Sequence, residues 1–203
     1  MKIIPVTSAN FSTIIATSIA VLKSGGVIAH PTDTVFGLTA DANNPKAVAK
    51  IHAIKKTHEA KPLLLNLPSK VWLTKIGRQT CQAKFLAKKF WPGSLAFIIL
   101  AKKGGTIGVR LPAHKISNVL ARKFGSPLVT TSANLAGQKP AKSATQIMEI
   151  FRRKKTKPDL ILDDNSYSRQ LPSTLVDLTK TKPQLLRKGV IPFKKVLLVL
   201  SHQ

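Results

Sequence analysis

Residues 91–132 read WPGSLAFIILAKKGGTIGVRLPAHKISNVLARKFGSPLVTTS, and the order of elements in this stretch decides the fold class. The turn Trp91-Pro92-Gly93-Ser94 releases an apolar run of strand length, Leu95 to Ala101. Gly104-Gly105 turns the chain into a second strand ending at Arg110. His114 to Phe124 has helical spacing, and Pro127 to Thr130 forms a third strand before a polar loop, Ser132 to Pro140. Outward from here the alternation continues. Toward the N-terminus come a helix from Asn10 to Lys23 (capped by Ser8 or Asn10, with Gly25 past its end), a strand Gly26 to His30, a helix Lys46 to Lys56, a strand Pro62 to Leu67, and helices at Ser69 to Ile76 and Gln79 to Phe90. Toward the C-terminus come a helix from Ser143 to about Arg153 and strands near Leu160, Leu175 and Leu185. Such alternation predicts a mixed α/β sheet with helices packed on it. There is no internal repeat and no linker, so residues 1–203 are expected to form a single domain.

Composition narrows the chemistry. With 43% hydrophobic residues in 203, the chain can bury a core. Lys and Arg number 33 against 8 acidic residues, a formal charge of +25 that attracts polyanions: nucleic acid, nucleotide or an anionic surface. Cys81 is the single cysteine, which excludes an intramolecular disulfide and a multi-thiolate metal site. So few carboxylates leave two-carboxylate hydrolysis and all-protein metal cages short of parts. Any catalysis is expected to rest on positive charge and hydrogen-bond donors. No apolar run approaches the roughly 20 residues that span a bilayer, and the expected location is cytoplasmic, with no membrane partner.

Candidate residues each carry two readings. Only seven of the basic residues are arginine, and Arg110 and Arg187 lie at predicted strand ends. There a guanidinium either grips a carboxylate or phosphate in a fork or forms a structural ion pair. The run Thr130-Thr131-Ser132-Ala133-Asn134 offers hydroxyls and amides at a strand's C-terminal end, either for a ligand or for capping a turn. Pro31-Thr32-Asp33-Thr34 has the same ambiguity. His30 is a base or a packed, hydrogen-bonded histidine. Trp72 and Trp91 read as core or rim packing. The run Arg152-Arg153-Lys154-Lys155, with Lys157 behind it, is a solvated helix end or an RNA contact. Neither Gly-Gly pair fits a Walker loop or a dinucleotide fingerprint.

Seven short motifs occur in order: Pro31-Thr32-Asp33-Thr34-Val35-Phe36-Gly37-Leu38; Lys55 with Lys61-Pro62-Leu63; Trp91-Pro92-Gly93; Val109-Arg110-Leu111-Pro112; Thr131-Ser132-Ala133-Asn134; Pro172-Ser173-Thr174-Leu175-Val176-Asp177; and Leu186-Arg187-Lys188-Gly189. In these the chain resembles the YrdC/TsaC family of threonylcarbamoyl-adenylate synthases, from about residue 7 to 191. The resemblance implies a twisted mixed α/β sheet flanked by helices, with a large basic central cavity. It implies a nucleotidyltransferase that makes threonylcarbamoyl-AMP and pyrophosphate from L-threonine, bicarbonate and ATP, for modification of adenosine 37 in tRNA.

By the same resemblance Thr34, Arg110, Thr130 and Ser173 would hold the threonine or its carbamate. Lys55, Lys61, Ser132, Asn134 and Arg187 would contact the nucleotide, with Thr106 and the backbone near Pro140 as further candidates. Lys55 and Arg110 would be the catalytic pair, and Arg110→Ala is expected to remove most activity while leaving thermal unfolding nearly unchanged. Mg²⁺ would bridge phosphates and water. Where the family carries Lys-x-Arg this chain has Lys55-Lys56-Thr57, so Lys56 or Lys61 would have to supply the missing charge without the fork. Asn66 stands where the synthase branch often has histidine. Partners implied are proteins that transfer the threonylcarbamoyl group onward, and tRNA or double-stranded RNA on the cavity. Alternatives are a non-enzymatic basic RNA-binding protein of the same fold and a related branch of unsettled activity.

Overall fold

In the computed structural model, which describes residues 1–58, 62–165 and 171–201, ten strands join one mixed sheet. In chain order the elements are β1 (Lys2–Pro5), α1 (Phe11–Lys23), β2 (Ile28–His30), β3 (Gly37–Asp41), α2 (Pro45–Lys55), β4 (Leu64–Asn66), α3 (Val71–Ile76), α4 (Cys81–Phe90), β5 (Leu95–Leu100), β6 (Thr106–Arg110), α5 (Lys115–Phe124), β7 (Leu128–Ser132), α6 (Ala144–Phe151), β8 (Leu160–Asp163), β9 (Thr174–Asp177), β10 (Gln184–Arg187) and α7 (Phe193–Ser201). The sheet order is β1-β8-β2-β3-β7-β4-β6-β5-β9-β10. Parallel pairs (β1 and β2 on β8, β4 on β6, β5 on β9) mix with antiparallel ones, as the alternation predicts.

Local chemistry sets the element ends. Asn44 caps α2 by accepting from the Ala47 amide, with Pro45 at the first helical position. Thr80 and Ser143 cap α4 and α6 in the same way. The start of α1 differs from expectation: Ser8 does not cap it, and the Asn10 side chain turns back to accept from the Thr7 amide at 2.8 Å. Gly25 at φ +83° and Gly125 at φ +83° follow α1 and α5 in the left-handed conformation that ends helices cheaply.

Three buried clusters hold the helices on the sheet. Phe36, Leu38, Ile51, Ile147 and Phe151 lie under α2 and α6. Leu86, Trp91, Leu95, Phe97 and Val196 lie under α4 and α7, with Trp91 stacked on Phe97 at 4.5 Å. Ile15, Leu22, Ile116 and Leu120 seal α1 against α5. Trp91 is therefore core, whereas Trp72 is half-buried beneath Lys75. Among the described residues no helix is long and apolar enough to cross a membrane.

His30 is 1% exposed, and its Nδ1 lies 2.9 Å from the Pro31 carbonyl and 3.2 Å from Ser117 Oγ. Burial, with the nearby His114, pushes its pKa down to about 4, so the ring is packed and neutral. The unfolded histidine takes up a proton near pH 6.5, but the folded one resists until about 4. Stability is thus present above pH 6.5 and is lost as pH falls toward 4, by about 3 kcal/mol in all. Urea midpoints for wild type and His30→Gln across this window should converge on acidification. Parallel pH profiles would show that another group carries the acid sensitivity.

Candidate functional site

The C-terminal ends of β6 and β7 face the loop before β3, and the end of α2 and the strand pair β9–β10 close the space between them. The result is a cavity of about 600 Å³. Leu64, Ile98, Leu175 and Leu186 supply apolar wall, and polar side chains converge from the rest. The structure brings Thr34, Lys55, Arg110, Thr130, Ser132, Asn134, Ser173 and Arg187 to this lining, together with Pro140. It does not bring Thr106, which is exposed at the opposite end of β6, paired with Leu100. Four residues along a strand separate it from Arg110, about 13 Å at the usual rise, and only the Gly108–Arg110 end turns inward. Lys61 lies outside the described residues.

Within the lining, roles differ from those expected. Arg110 is 6% exposed and almost wholly engaged by the protein. Its Nε donates to the Gly93 carbonyl at 2.9 Å, Nη1 donates to Thr34 Oγ1 at 3.0 Å, and Nη2 is ion-paired with Asp33. Ser94 Oγ donates to the other Asp33 oxygen at 3.0 Å. Burial alone would raise the Asp33 carboxyl, but Arg110 and the Ser94 hydroxyl outweigh it and hold the group below the usual carboxylate range. Burial also lowers the Arg110 guanidinium, against the pull of Asp33, yet an arginine stays charged at working pH. The ion-pair reading of Arg110 is the one the geometry carries. A carboxylate clamp would have to use the few N–H groups left over.

Lys55 and Asn134 form a second internal unit. Lys55 Nζ, buried with its residue at 6% exposure, donates to the Ser132 carbonyl at 2.7 Å, the Asn134 carbonyl at 3.0 Å and Asn134 Oδ1 at 3.2 Å. The Asn134 amide donates in turn to the Leu135 and Gln138 carbonyls at 2.8 and 2.7 Å. Asn134 therefore spends its side chain on shaping the loop 133–140 instead of facing a nucleotide, and Lys55 fixes that loop to α2. The hydroxyls of Thr130, Thr131 and Ser132 line the cavity with no hydrogen bond to another described residue. Thr57, on the same lining, lies 3.1 Å from His52 Nδ1.

Arg187 closes the far wall. Its Nε and Nη2 donate to the carbonyl and hydroxyl of Ser173 at 3.0 and 2.9 Å. Burial, reinforced by the like charge of Arg110, lowers its guanidinium. No carboxylate among the described residues pairs with it. It is the cavity arginine whose charge the fold leaves uncompensated. The approach depends on Gly189, where an added Cβ would fall 2.3 Å from the Pro172 carbonyl oxygen and 2.4 Å from the Thr174 nitrogen. Gly189→Ala should cost about 2 kcal/mol through overpacking against backbone and loosen Arg187. A denaturation midpoint unchanged from wild type would show that the β9–β10 crossing has room.

The one sequence signal for the support around Arg110 is that Asp33, within its motif, is one of only eight carboxylates. No group of three or more His, Cys, Asp or Glu that could hold a metal occurs among the described residues. Asp33, between the lining residues Thr32 and Thr34, is paired with Arg110.

The Sua5/YciO/YrdC family model, described as "Telomere recombination", matches residues 20–189. The chain belongs to this family. Threonylcarbamoyl-AMP synthase of Thiobacillus denitrificans is 32% identical over 80% of this chain and 90% of that protein. The Pyrococcus abyssi enzyme of the same name is 32% identical over 89% of this chain but only 55% of its own length, so the chain spans about half of that relative. The crystal structure of P. abyssi Sua5 complexed with L-threonine superposes with a TM-score of 0.90 at 30% identity, covering 98% of this chain and 61% of that one. The Sua5/YciO/YrdC fold thus accounts for the strand order, and the seven motifs fall within or close to the matched span.

Proposed function

We propose that the protein is a threonylcarbamoyl-AMP synthase, a nucleotidyltransferase joining L-threonine, bicarbonate and ATP with release of pyrophosphate. The observation that carries the reading is the convergence of hydroxyl and cationic side chains from strands, loops and the end of α2 on one cavity, in a fold that a relative uses to hold L-threonine. The amine of threonine and bicarbonate condense to a carbamate with loss of water. Its oxygen attacks the α-phosphorus of ATP, and the bond to the bridging oxygen breaks as pyrophosphate leaves. Negative charge accumulates at the attack site, so fixed donors and cations lower the barrier.

In this reading Thr34, Thr130 and Ser173 face the amino acid. Ser132 and Arg187 face the phosphates, with Lys55 and Asn134 holding the loop against which they rest. Mg²⁺ would arrive with ATP as part of the substrate and neutralise phosphate charge, since the described residues offer it no carboxylate cage. The product would serve tRNA modification, with transfer proteins downstream, in the cytoplasm. Incubation with threonine, bicarbonate and γ-labelled ATP is expected to release labelled pyrophosphate only when threonine is present. Saturating substrate with no threonine-dependent pyrophosphate would overturn the reading in favour of a non-enzymatic binding protein.

A further inference from the structure

A hydroxyl has one proton to give and two lone pairs to fill, so the contacts around Thr32 and Thr34 determine which way their protons point. Thr32 Oγ1 donates to the Val35 carbonyl at 2.6 Å, which uses its only proton. The same oxygen accepts from the Thr34 amide at 3.0 Å. Thr34 Oγ1 lies 3.1 Å away, and with the Thr32 proton committed, Thr34 must be the donor of that pair. Arg110 Nη1 can only donate, and at 3.0 Å it fills one lone pair of Thr34 Oγ1. One lone pair is left over, on a buried residue that lines the cavity. Thr34 therefore presents an acceptor to a ligand, and it does so because Thr32 takes its proton.

The facing wall has a different character. An added Cβ on Gly37 would lie 3.4 Å from both Thr32 Cγ2 and Thr130 Oγ1, so the two walls meet at the start of β3. The Thr130 and Ser132 hydroxyls are free to turn their protons inward, and Arg187 adds its charge. Oxygens of a carboxylate or phosphate find donors there. An N–H group needs an acceptor instead, and Thr34 supplies one whose direction is fixed.

We propose that Thr32 is a positioning residue that sets the hydrogen-bond polarity of Thr34, so that Thr34 holds the amino group of the amino-acid substrate by one N–H. The inference rests on the function proposed above, which brings the amino acid here. The reacting amine is neutral, since an ammonium has no electron pair to give, and the cavity arginines Arg110 and Arg187 disfavour the ammonium. Held by an N–H, the amine keeps its own pair free. That pair forms the bond to the carbon of bicarbonate, and the second N–H proton leaves with the hydroxyl as water. The carbamate retains the first N–H and stays on Thr34. Without an oxygen at residue 32, the Thr34 proton would turn into the cavity and occupy the nitrogen pair that the reaction needs. The amino acid would still bind, in the wrong sense for attack.

Two measurements on Thr32→Val and Thr32→Ser test the proposal: pyrophosphate release at saturating substrate, and calorimetric titration with L-threonine. In Thr32→Val the misplaced hydrogen bond must break before attack, so kcat should fall about 10-fold. The Kd for L-threonine should move by less than about 3-fold, because one hydrogen bond replaces another. Thr32→Ser, which keeps the oxygen, should return kcat to within about 3-fold of wild type. Thr32→Ala repeats the loss with a smaller side chain, and thermal melting of all three shows that the comparison is between folded proteins. A role confined to holding the loop predicts the opposite split, weaker threonine binding with kcat preserved, and that result would overturn the inference. So would a Thr32→Ser variant as slow as Thr32→Val, or kcat unchanged in both Thr32→Val and Thr32→Ala. Wild type that neither binds L-threonine nor releases pyrophosphate overturns the synthase reading and this inference with it, whereas active wild type with indifferent variants overturns the inference alone.

Discussion

Arg110→Ala is expected to destabilise the protein by about 3 kcal/mol, because it leaves Asp33 buried without its counter-charge. The Asp33 side chain is only 16% exposed, and after the substitution its remaining support is Ser94. Three segments lose a common anchor at once: the loop of Asp33 and Thr34, the Gly93–Ser94 turn, and β6 itself. This reverses the expectation of a variant that loses most activity while its unfolding stays nearly unchanged. Asp33→Asn combined with Arg110→Ala should recover much of the loss, since no unpaired charge remains, and the double-mutant cycle measures the coupling. A single Arg110→Ala variant that melts with wild type would show the pair to be dispensable to folding and return Arg110 to the substrate.

Lys55→Met should lower threonine-dependent pyrophosphate release by about 100-fold or more, about 2.7 kcal/mol in the barrier. The ammonium ties the Ser132 and Asn134 carbonyls together, and buried hydrogen bonds to a charge are among the stronger ones. Without it, loop 133–140 loses its hold on α2 and the wall bearing the Ser132 hydroxyl loses definition. Asn134→Ala acts on the same unit, so adding it to Lys55→Met should cost little more. Strict additivity of the two would mean that each meets substrate separately and that the loop is shaped by other contacts.

Much of the fold could be read from periodicity. The strands at Leu95 and Arg110 and the helices at Phe11, Lys46 and His114 were placed within a few residues, because apolar spacing and flanking glycines mark them. Three elements escaped. Strand β3, Gly-Leu-Thr-Ala-Asp, has few strand-favouring residues and exists because β2 and β7 pair with it from both sides. Strand β1 is four residues at the sheet's edge, held by β8. Helix α7 carries its core contact at Val196 within a run apolar on more than one side, so no clear stripe marks it.

The candidate site was legible as a set of positions but not as a division of labour. Nothing in one dimension says that Asp33 meets Arg110 across 77 residues, or that Asn134 turns its amide to its own loop. Thr106 was misplaced because strand identity alone does not tell which end of β6 reaches the cavity.

Strand β2 carries one further consequence. Its parallel neighbour β8 and the carboxylate that receives the Val27 amide lie 132 residues downstream. During synthesis the ribosome must therefore emit most of the polypeptide before that hydrogen-bonding edge is covered, and closure of so large a loop is slow. The nascent protein spends this interval with an open strand edge that invites pairing with neighbouring copies, so its yield in cells should track how well chaperones shield an incomplete sheet.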